Sequence, residues 1–546
     1  MLGSLSVTLA DTAADAPASH DASGRVLIVI AVAIAVGWFC RSRGIGSALP
    51  LIVAGFLLAL VPDLQNTVPD PELMLSLVLS PLVFAAGLAS SALDLKEVRR
   101  TVLILAVGLV LVTTVVIGVV ASGAIAALPL AAACALGAVL APTDAVAAAA
   151  VAKSAGLPRR VKLIVEGESL ANDGTALTFL RVAIVAAVVG TVSVLQATGI
   201  LLLAVVGGVA VGGIGGLFVA WLMKRSNEPV VANAILLITP FVIYEATELI
   251  GGSGLLAVVI AGILIAHMSE SGTAYEARLQ ANAIWSLIRF LFESTAFVLV
   301  GLEFWDTAQR VHEFTPLVVA LLMLYLFVVL LVTRALFMGA WFLIGRKVAP
   351  KKFSDGKRAA RQFAAITVLG VRGPVSVLAV FSLPDNFPER DLLMTLTFGV
   401  VILSLIFALA AAPIVRFLNL QTGDETQELR RARKATATAA LARLDQIVAE
   451  YDSKGEPLSD KMIARLRSLA VRRVDTYESD EQKAVAAKNS VALQRKVQKS
   501  MLEAERAELQ RIRRSTGIPG DVTRQMLSEL DIREAALRTP GRIGAT

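Results

Sequence analysis

Four short clusters of polar side chains stand inside long apolar runs, and their residue types suit the holding of a proton or a metal cation. The stretch Gly167-Glu168-Ser169-Leu170-Ala171-Asn172-Asp173-Gly174 supplies two carboxylates, a hydroxyl and an amide; Pro142-Thr143-Asp144, Glu293 and Gly370-Val371-Arg372-Gly373-Pro374 are the others. On a helix turning about 100° per residue, Glu168, Ser169, Asn172 and Asp173 share an arc of about 140°, opposite a face of Leu, Val, Ala and Phe. Carboxylate, hydroxyl, amide and freed carbonyl oxygens are hard ligands for a hard cation. No aromatic or large apolar pocket for an organic solute is evident, so an alkali cation fits better. Burial favours the protonated form of a carboxyl and a nearby positive charge favours the ionised form, so one carboxylate can hold either a proton or a cation. Mutual exclusion at Asp173 would couple the transport of the two. There is no Gly-x-Ser-x-Gly elbow and no His-Glu-x-x-His motif, which argues against an intramembrane hydrolase. The expectation is a non-enzyme without a cofactor.

The elements that must position these groups are membrane spans. The chain has 546 residues, 56% of them hydrophobic and 17% charged, with a mean hydropathy of +0.72, a composition outside the range of soluble globular chains. Cys40 and Cys134 both lie in apolar runs and read as small buried hydrophobes without a disulfide or metal role. Runs of bilayer-crossing length, about 20 residues allowing for tilt and breaks, fall at about 24–41, 47–62, 72–92, 101–127, 130–155, 160–189, 197–223, 230–250, 253–268, 281–303, 315–345, 360–383 and 391–419. The expected fold is therefore an all-α polytopic membrane protein of about thirteen transmembrane helices.

Alternate loops carry the basic residues, from Arg41 and Arg43 to the seven between Arg346 and Arg361, whereas the opposite set holds only Arg310 and Arg390. The positive-inside rule then places the N-terminus outside and the tail in the cytoplasm, and it accounts for the net charge of +7 without nucleic acid. Trp38, Trp221, Trp305 and Trp341 fall near span ends, as interfacial anchors do. Residues 1–23 read as a short extracytoplasmic lead-in, 24–420 as the transmembrane domain, and 421–546, with 43 charged residues in 126, as a cytoplasmic tail.

The polar clusters lie close to the centres of the fifth, sixth, tenth and twelfth spans. A charge at that depth costs at least about 2.5–3.5 kcal/mol on insertion scales, so several at one depth suggest a shared, hydrated or paired site. Pro142 removes a backbone donor and frees a carbonyl, tolerable in midmembrane only where protein encloses the backbone. Gly370, Gly373 and Pro374 repeat the argument, so spans 5 and 12 are expected to be broken crossing helices. Each is followed by a further long span, which suggests the inverted repeats of secondary transporters, whose sites lie where discontinuous helices meet.

At these residues the sequence resembles the bacterial sodium/proton antiporters of the monovalent cation:proton antiporter family one, the NhaP-like group related to eukaryotic sodium/hydrogen exchangers. The resemblance runs through LAPTDAVAAAAVAK (140–153), VEGESLANDGTA (165–176), SGLLAVVIAGILIAH (253–267), FESTAFVLVGLEF (292–304) and LGVRGPVSVLAV (369–380), covering about residues 25 to 420. It implies that Asp173 exchanges Na⁺, or Li⁺ or K⁺, for H⁺, with Asn172 as its companion and Thr143 and Ser169 as supporting oxygen ligands of the Na⁺. It implies further that Glu168 is a buried glutamate that either joins the cation- and proton-binding group or orients the helices through a pair with Arg372, and that Asp144 offsets half-helix ends at the crossing. An Asn-Asp pair is associated in this superfamily with electroneutral exchange. Pro374 departs from the more usual alanine, and Glu293 stands where many bacterial members have asparagine; it could add a cation contact or pair with Arg289 one turn earlier.

The resemblance also implies a bacterial inner-membrane location, surrounded by lipid. Arg334 reads as reaching an interface or a neighbouring helix, and His267 as an interfacial histidine. The tail is expected to be a helical module with breaks at Gly455-Glu456-Pro457 and Gly517-Ile518-Pro519-Gly520, serving transport regulation or homodimer assembly. Two other functions fit the same residues: a potassium/proton antiporter, since oxygen chemistry does not set cavity size, and a membrane cation or pH sensor signalling through its tail.

Overall fold

The computed structural model describes residues 16–64, 74–126, 128–144, 147–148, 151–152, 155–190, 193–226, 228–269, 275–348, 356–418, 420, 425–453, 459–464, 466–468 and 505. Every regular element among them is helical, and the chain divides into two compact units, Met1–Thr422 and Gly423–Thr546. In the first unit the helices are α1 (Ala16–Arg43), α2 (Ala48–Leu58), α3 (Met74–Ala89), α4 (Ala92–Leu103, Ile104–Leu109 and Val110–Ala124, continuous), α5 (Leu130–Leu140), α6 (Arg159–Val189) and α7 (Val194–Arg225). They continue with α8 (Pro229–Leu249), α9 (Gly254–Ser269), α10 (Tyr275–Arg310), α11 (Pro316–Val348), α12 (Gly356–Val368), α13 (Pro374–Val380) and α14 (Arg390–Phe417). α1 begins at Ala16, inside the stretch read from sequence as a lead-in.

Among the described residues, eight helices are long and apolar enough to cross a membrane by length and composition, and α2, α3, α5 and α9 are shorter apolar helices. The remaining apolar run, 360–383, is the α12–α13 pair. α2, with 11 residues, extends only about 17 Å against a hydrocarbon core of about 30 Å. Close packing compensates for its length: Gly55 lies against the Val298 carbonyl and Gly301 of α10 against the Ile52 carbonyl, where no side chain has room. Gly262 of α9 meets the Phe84 backbone of α3 in the same way.

Both expected interruptions are present. α5 ends at Leu140, residues 141–144 are unwound, and helix returns at 147–148 and 151–152; α12 ends at Val368 and α13 begins at Pro374, with 370–373 non-helical between them. The two unwound segments cross and are joined by a backbone hydrogen bond, the Asp144 N–H donating to the Val371 carbonyl at 2.7 Å. A Cβ on Gly373 would lie 2.5 Å from the Asp144 side chain, and one on Gly370 would overlap the Arg334 guanidinium. The glycines are therefore required by close approach, and the freed backbone groups find protein partners in place of lipid.

In the second unit, α15 (Glu425–Ser453) half-buries Leu441, Leu444, Ile447 and Val448 at helical spacing, and Arg467 pairs with Asp445 at 2.5 Å. The breaks expected at 455–457 and 517–520, and most of the helical stretch expected from sequence between and after them, lie outside the described residues.

Candidate functional site

α6 runs unbroken from Pro158 to Gly190, and its polar arc is buried: Glu168 and Asn172 are 1% exposed, Ser169 2% and Asp173 7%. The break after α5 brings Thr143 to this face. The Thr143 hydroxyl lies 3.0 Å from the Ser169 hydroxyl and accepts a hydrogen bond from the Asn172 amide at 2.9 Å. Thr143, Ser169 and Asn172 thus form one connected group from two elements. Beside them, Asn172 Oδ1 and Asp173 Oδ1 are buried with no hydrogen-bond partner among the described residues. Two bare acceptors at one depth are the exception in a folded chain, where the large majority of buried polar atoms are paired. Two acceptor oxygens left without a donor are suited to a cation or a proton.

Asp144 sits at the crossing itself. Its carbonyl accepts from Ala148 at 3.1 Å, opening the helical turn that follows the break, while its side chain lies against Gly373 at the start of α13. A negative group at these helix starts opposes the positive end of the backbone dipole. Its charge also interacts with those of Asp173 and Glu293.

The ion pair expected between Glu168 and Arg372 is not formed. Glu168 is held by Arg334 of α11 through both carboxylate oxygens, the longer bond being 2.8 Å, and both residues are only 1% exposed. Arg372 turns instead to backbone: its Nε donates to the Leu140 carbonyl at 2.7 Å, its Nη1 to the Gly370 carbonyl at 2.6 Å, and its own N–H to the Ser404 hydroxyl at 2.8 Å. The unwound segment is the cause. The non-helical segment 370–373 brings the Arg372 side chain to the end of α5, whereas α11 passes close to Gly370 and presents Arg334 to Glu168.

Arg334 also donates to the Ile366 carbonyl at 3.0 Å, so each interrupted helix has a guanidinium on its last turn, Arg372 on α5 and Arg334 on α12. Unsatisfied C-terminal carbonyls and the negative end of the helix dipole both favour this placement. Arg334 therefore reaches neighbouring helices, the second of the two readings from sequence, and belongs to the structural frame of the site. Its mid-span position was the available signal; Ser404 gave none.

Glu293 is half-buried and faces a cavity of about 210 Å³ that also contains Arg41, Arg289 and Ser294. Arg289 donates to the Ala85 carbonyl at 2.8 Å, and among the described residues no hydrogen bond joins it to Glu293, although both line the same cavity.

A larger cavity, of about 1020 Å³, opens beyond the Gly190-side turn of the polar arc and is walled by Leu177, Arg181, Glu248, Phe381, Asp385 and Arg390, among others. Arg181 pairs with Glu248 and donates to the Gly252 carbonyl at 3.1 Å, and the second Glu248 oxygen accepts the Gly254 N–H at 2.9 Å. This ties α6 to the turn between α8 and α9. Among the described residues there is no group of three or more His, Cys, Asp or Glu side chains that could hold a metal; the oxygen set at the crossing mixes one carboxylate with hydroxyl and amide groups.

The chain is similar to known proteins along most of its length. The family model for the sodium/hydrogen exchanger, transmembrane, matches residues 27–416. An uncharacterized Na⁺/H⁺ exchanger of Escherichia coli (strain K12) is 30% identical over 94% of this chain and 98% of its own length. A sodium, potassium, lithium and rubidium/H⁺ antiporter of Bacillus pumilus is 33% identical over 71% of this chain, which spans 61% of that relative. The structure of a sodium proton antiporter from Methanocaldococcus jannaschii superimposes with a TM-score of 0.58 at 17% identity, covering 73% of this chain and 98% of the other, a likeness of fold. With the family match extending from α1 through α14 and including both crossing segments, the chain belongs to the sodium/hydrogen exchanger family.

Proposed function

We propose that this protein exchanges Na⁺, and also Li⁺ or K⁺, for H⁺ across the bacterial inner membrane by alternating access, with Asp173 binding cation and proton in competition. The observation that carries the reading is the unpartnered Oδ1 of Asp173 beside the linked Asn172, Thr143 and Ser169 side chains at the helix crossing. Thr143 and Ser169 supply neutral oxygens to the transported Na⁺; Asn172 holds Thr143 in place, and Asp144 balances the helix starts. Glu168 and Arg334, with Arg372, fix the three helices around the site. A single carboxylate that leaves either as a cation pair or as a neutral acid carries the same net charge in both directions, which supports electroneutral exchange. The wider alkali range draws on the name of the Bacillus pumilus relative.

The loop charges support thirteen crossings with the N-terminus outside, so that the 1020 Å³ cavity faces outward and the smaller one inward. Residues 24–420 carry transport, and residues 421–546 form a cytoplasmic tail whose amphipathic helix supports a role in regulation or in homodimer assembly.

The test is proton movement in proteoliposomes on addition of Na⁺, Li⁺ or K⁺, with the membrane voltage clamped and then released. Exchange in the wild type, its loss in Asp173→Ala and its indifference to voltage are expected. Full activity in a folded Asp173→Ala protein would remove Asp173 as the exchange site, and an inert wild type would favour a sensor.

A further inference from the structure

Three of the elements that wall the 1020 Å³ cavity run from it toward the depth of the crossing. On α6, the cavity wall includes Leu177, and Asp173 is one turn deeper. On α3, the wall includes Ser76, and Ser80 is one turn deeper; after α13, it includes Phe381, and Ser376 lies within α13. α3 touches both neighbours, its π-helical start (Met74–Leu79) packing on α13 and its α-helical part (Ser80–Ala89) on α6.

Ser80 and Ser376 are both 0% exposed, and neither hydroxyl has a hydrogen-bond partner among the described residues. Hydroxyls in these helices ordinarily bond the carbonyl four residues back, as Thr178, Thr239, Thr247 and Thr397 do at 2.6–2.8 Å. Both exceptions have a local cause. The residue four before Ser80 is Ser76, in the π turn, whose wider winding departs from the α-helical i−4 geometry, and the residue four before Ser376 is Arg372, in the non-helical segment that precedes α13. The departures from α-helix thus leave two bare hydroxyls at the depth of the bare Oδ1 of Asp173. A buried hydroxyl left unpaired is unfavourable, and an alkali cation passing this depth must shed water.

We infer that Ser80 and Ser376 are specificity-determining residues of a second, transient cation position beneath the larger cavity, at the depth of Asp173, where their oxygens replace water lost by the ion. The inference rests on the exchange reading above. Na⁺ and Li⁺ hold water more tightly than K⁺, so they depend more on the replacement oxygens.

The experiment uses the full chain in proteoliposomes, comparing Na⁺ and K⁺ concentration dependences for wild type, Ser80→Ala, Ser376→Ala and the double variant, with thermal unfolding alongside. In the double variant the apparent KM for Na⁺ should rise about tenfold, the loss of two polar contacts at the lower end of their usual strength, with a smaller rise for K⁺; Ser376→Thr, which keeps a hydroxyl, should stay near wild type. Unchanged KM values together with equal or higher thermal stability would make both hydroxyls spectators and overturn the inference, as would an equal rise for Na⁺ and K⁺. If an alanine variant does not fold, the cysteine variant, similar in size and a weak ligand for alkali ions, should reproduce the Na⁺ loss, and a wild-type Na⁺ KM there overturns it equally. Wild type without exchange refutes the exchange reading itself, whereas exchange that is lost in Asp173→Ala but untouched by the serine variants refutes only this inference.

Discussion

Glu168 and Arg334 are each about 1% exposed, and what matters for a buried ion pair is less its own strength than the cost of removing half of it. Arg334→Met leaves a carboxylate without a partner, a change worth about 3–5 kcal/mol in buried pairs, so a clear fall in the thermal unfolding midpoint in detergent is expected. Glu168→Gln combined with Arg334→Met should recover part of that fall; recovery stays incomplete because the Ile366 carbonyl also loses its donor. Competition at Asp173 gives a second prediction at this scale. As pH falls, protons occupy a growing share of the carboxylates, so the apparent KM for Na⁺ should climb, approaching about tenfold per pH unit once the protonated form dominates, while the maximal rate at saturating Na⁺ changes less. Initial rates across a pH series measure it, and a KM that stays flat would contradict shared occupancy.

At the scale of elements, the sequence made the helix breaks legible because their causes are local. Pro142 cannot donate, and Gly370 with Gly373 marks backbone in close approach; each can be read without knowing its neighbours. The polar arc of α6 was legible for the same reason, since one helix determines the angles among Glu168, Ser169, Asn172 and Asp173. The partner of Glu168 was not, because it depends on how α6, α11 and a non-helical segment lie against one another, and residue spacing says nothing of that. The free hydroxyl of Ser80 escaped as well, since no residue type announces a π turn. Gly373→Ala tests the crossing: its added Cβ would lie 2.5 Å from the Asp144 side chain, so the two segments must separate. Transport should drop by an order of magnitude or more, about the effect of a misplacement near 1 Å at a reacting site, and proton flux relative to the amount of folded protein checks this.

For the whole molecule, the two compact units make a separable prediction. The crossing, the cavities and the frame around Glu168 all lie within Met1–Thr422, so a chain ending at Thr422 should still exchange cations. If the tail regulates or assembles the protein, the same truncation should shift the pH profile or lower the dimer fraction in light scattering. Unchanged values for both would leave the tail a solvated appendage. The count of crossings was legible from hydropathy only as a pattern of runs: α2 and α5 are too short to span unaided, and glycine contacts and a helix break, not length, explain how they serve.

The hydrogen bond from Asp144 to Val371 is a single rung of sheet-like pairing within a helical membrane protein. Because it joins main chain to main chain, it does not depend on side-chain identity at either position, provided residue 144 retains an N–H. Asp144→Asn should therefore discharge the crossing while leaving it tied, and Asp144→Pro should untie it. The charge at the crossing and the mechanical link between its two halves can thus be varied separately at one residue.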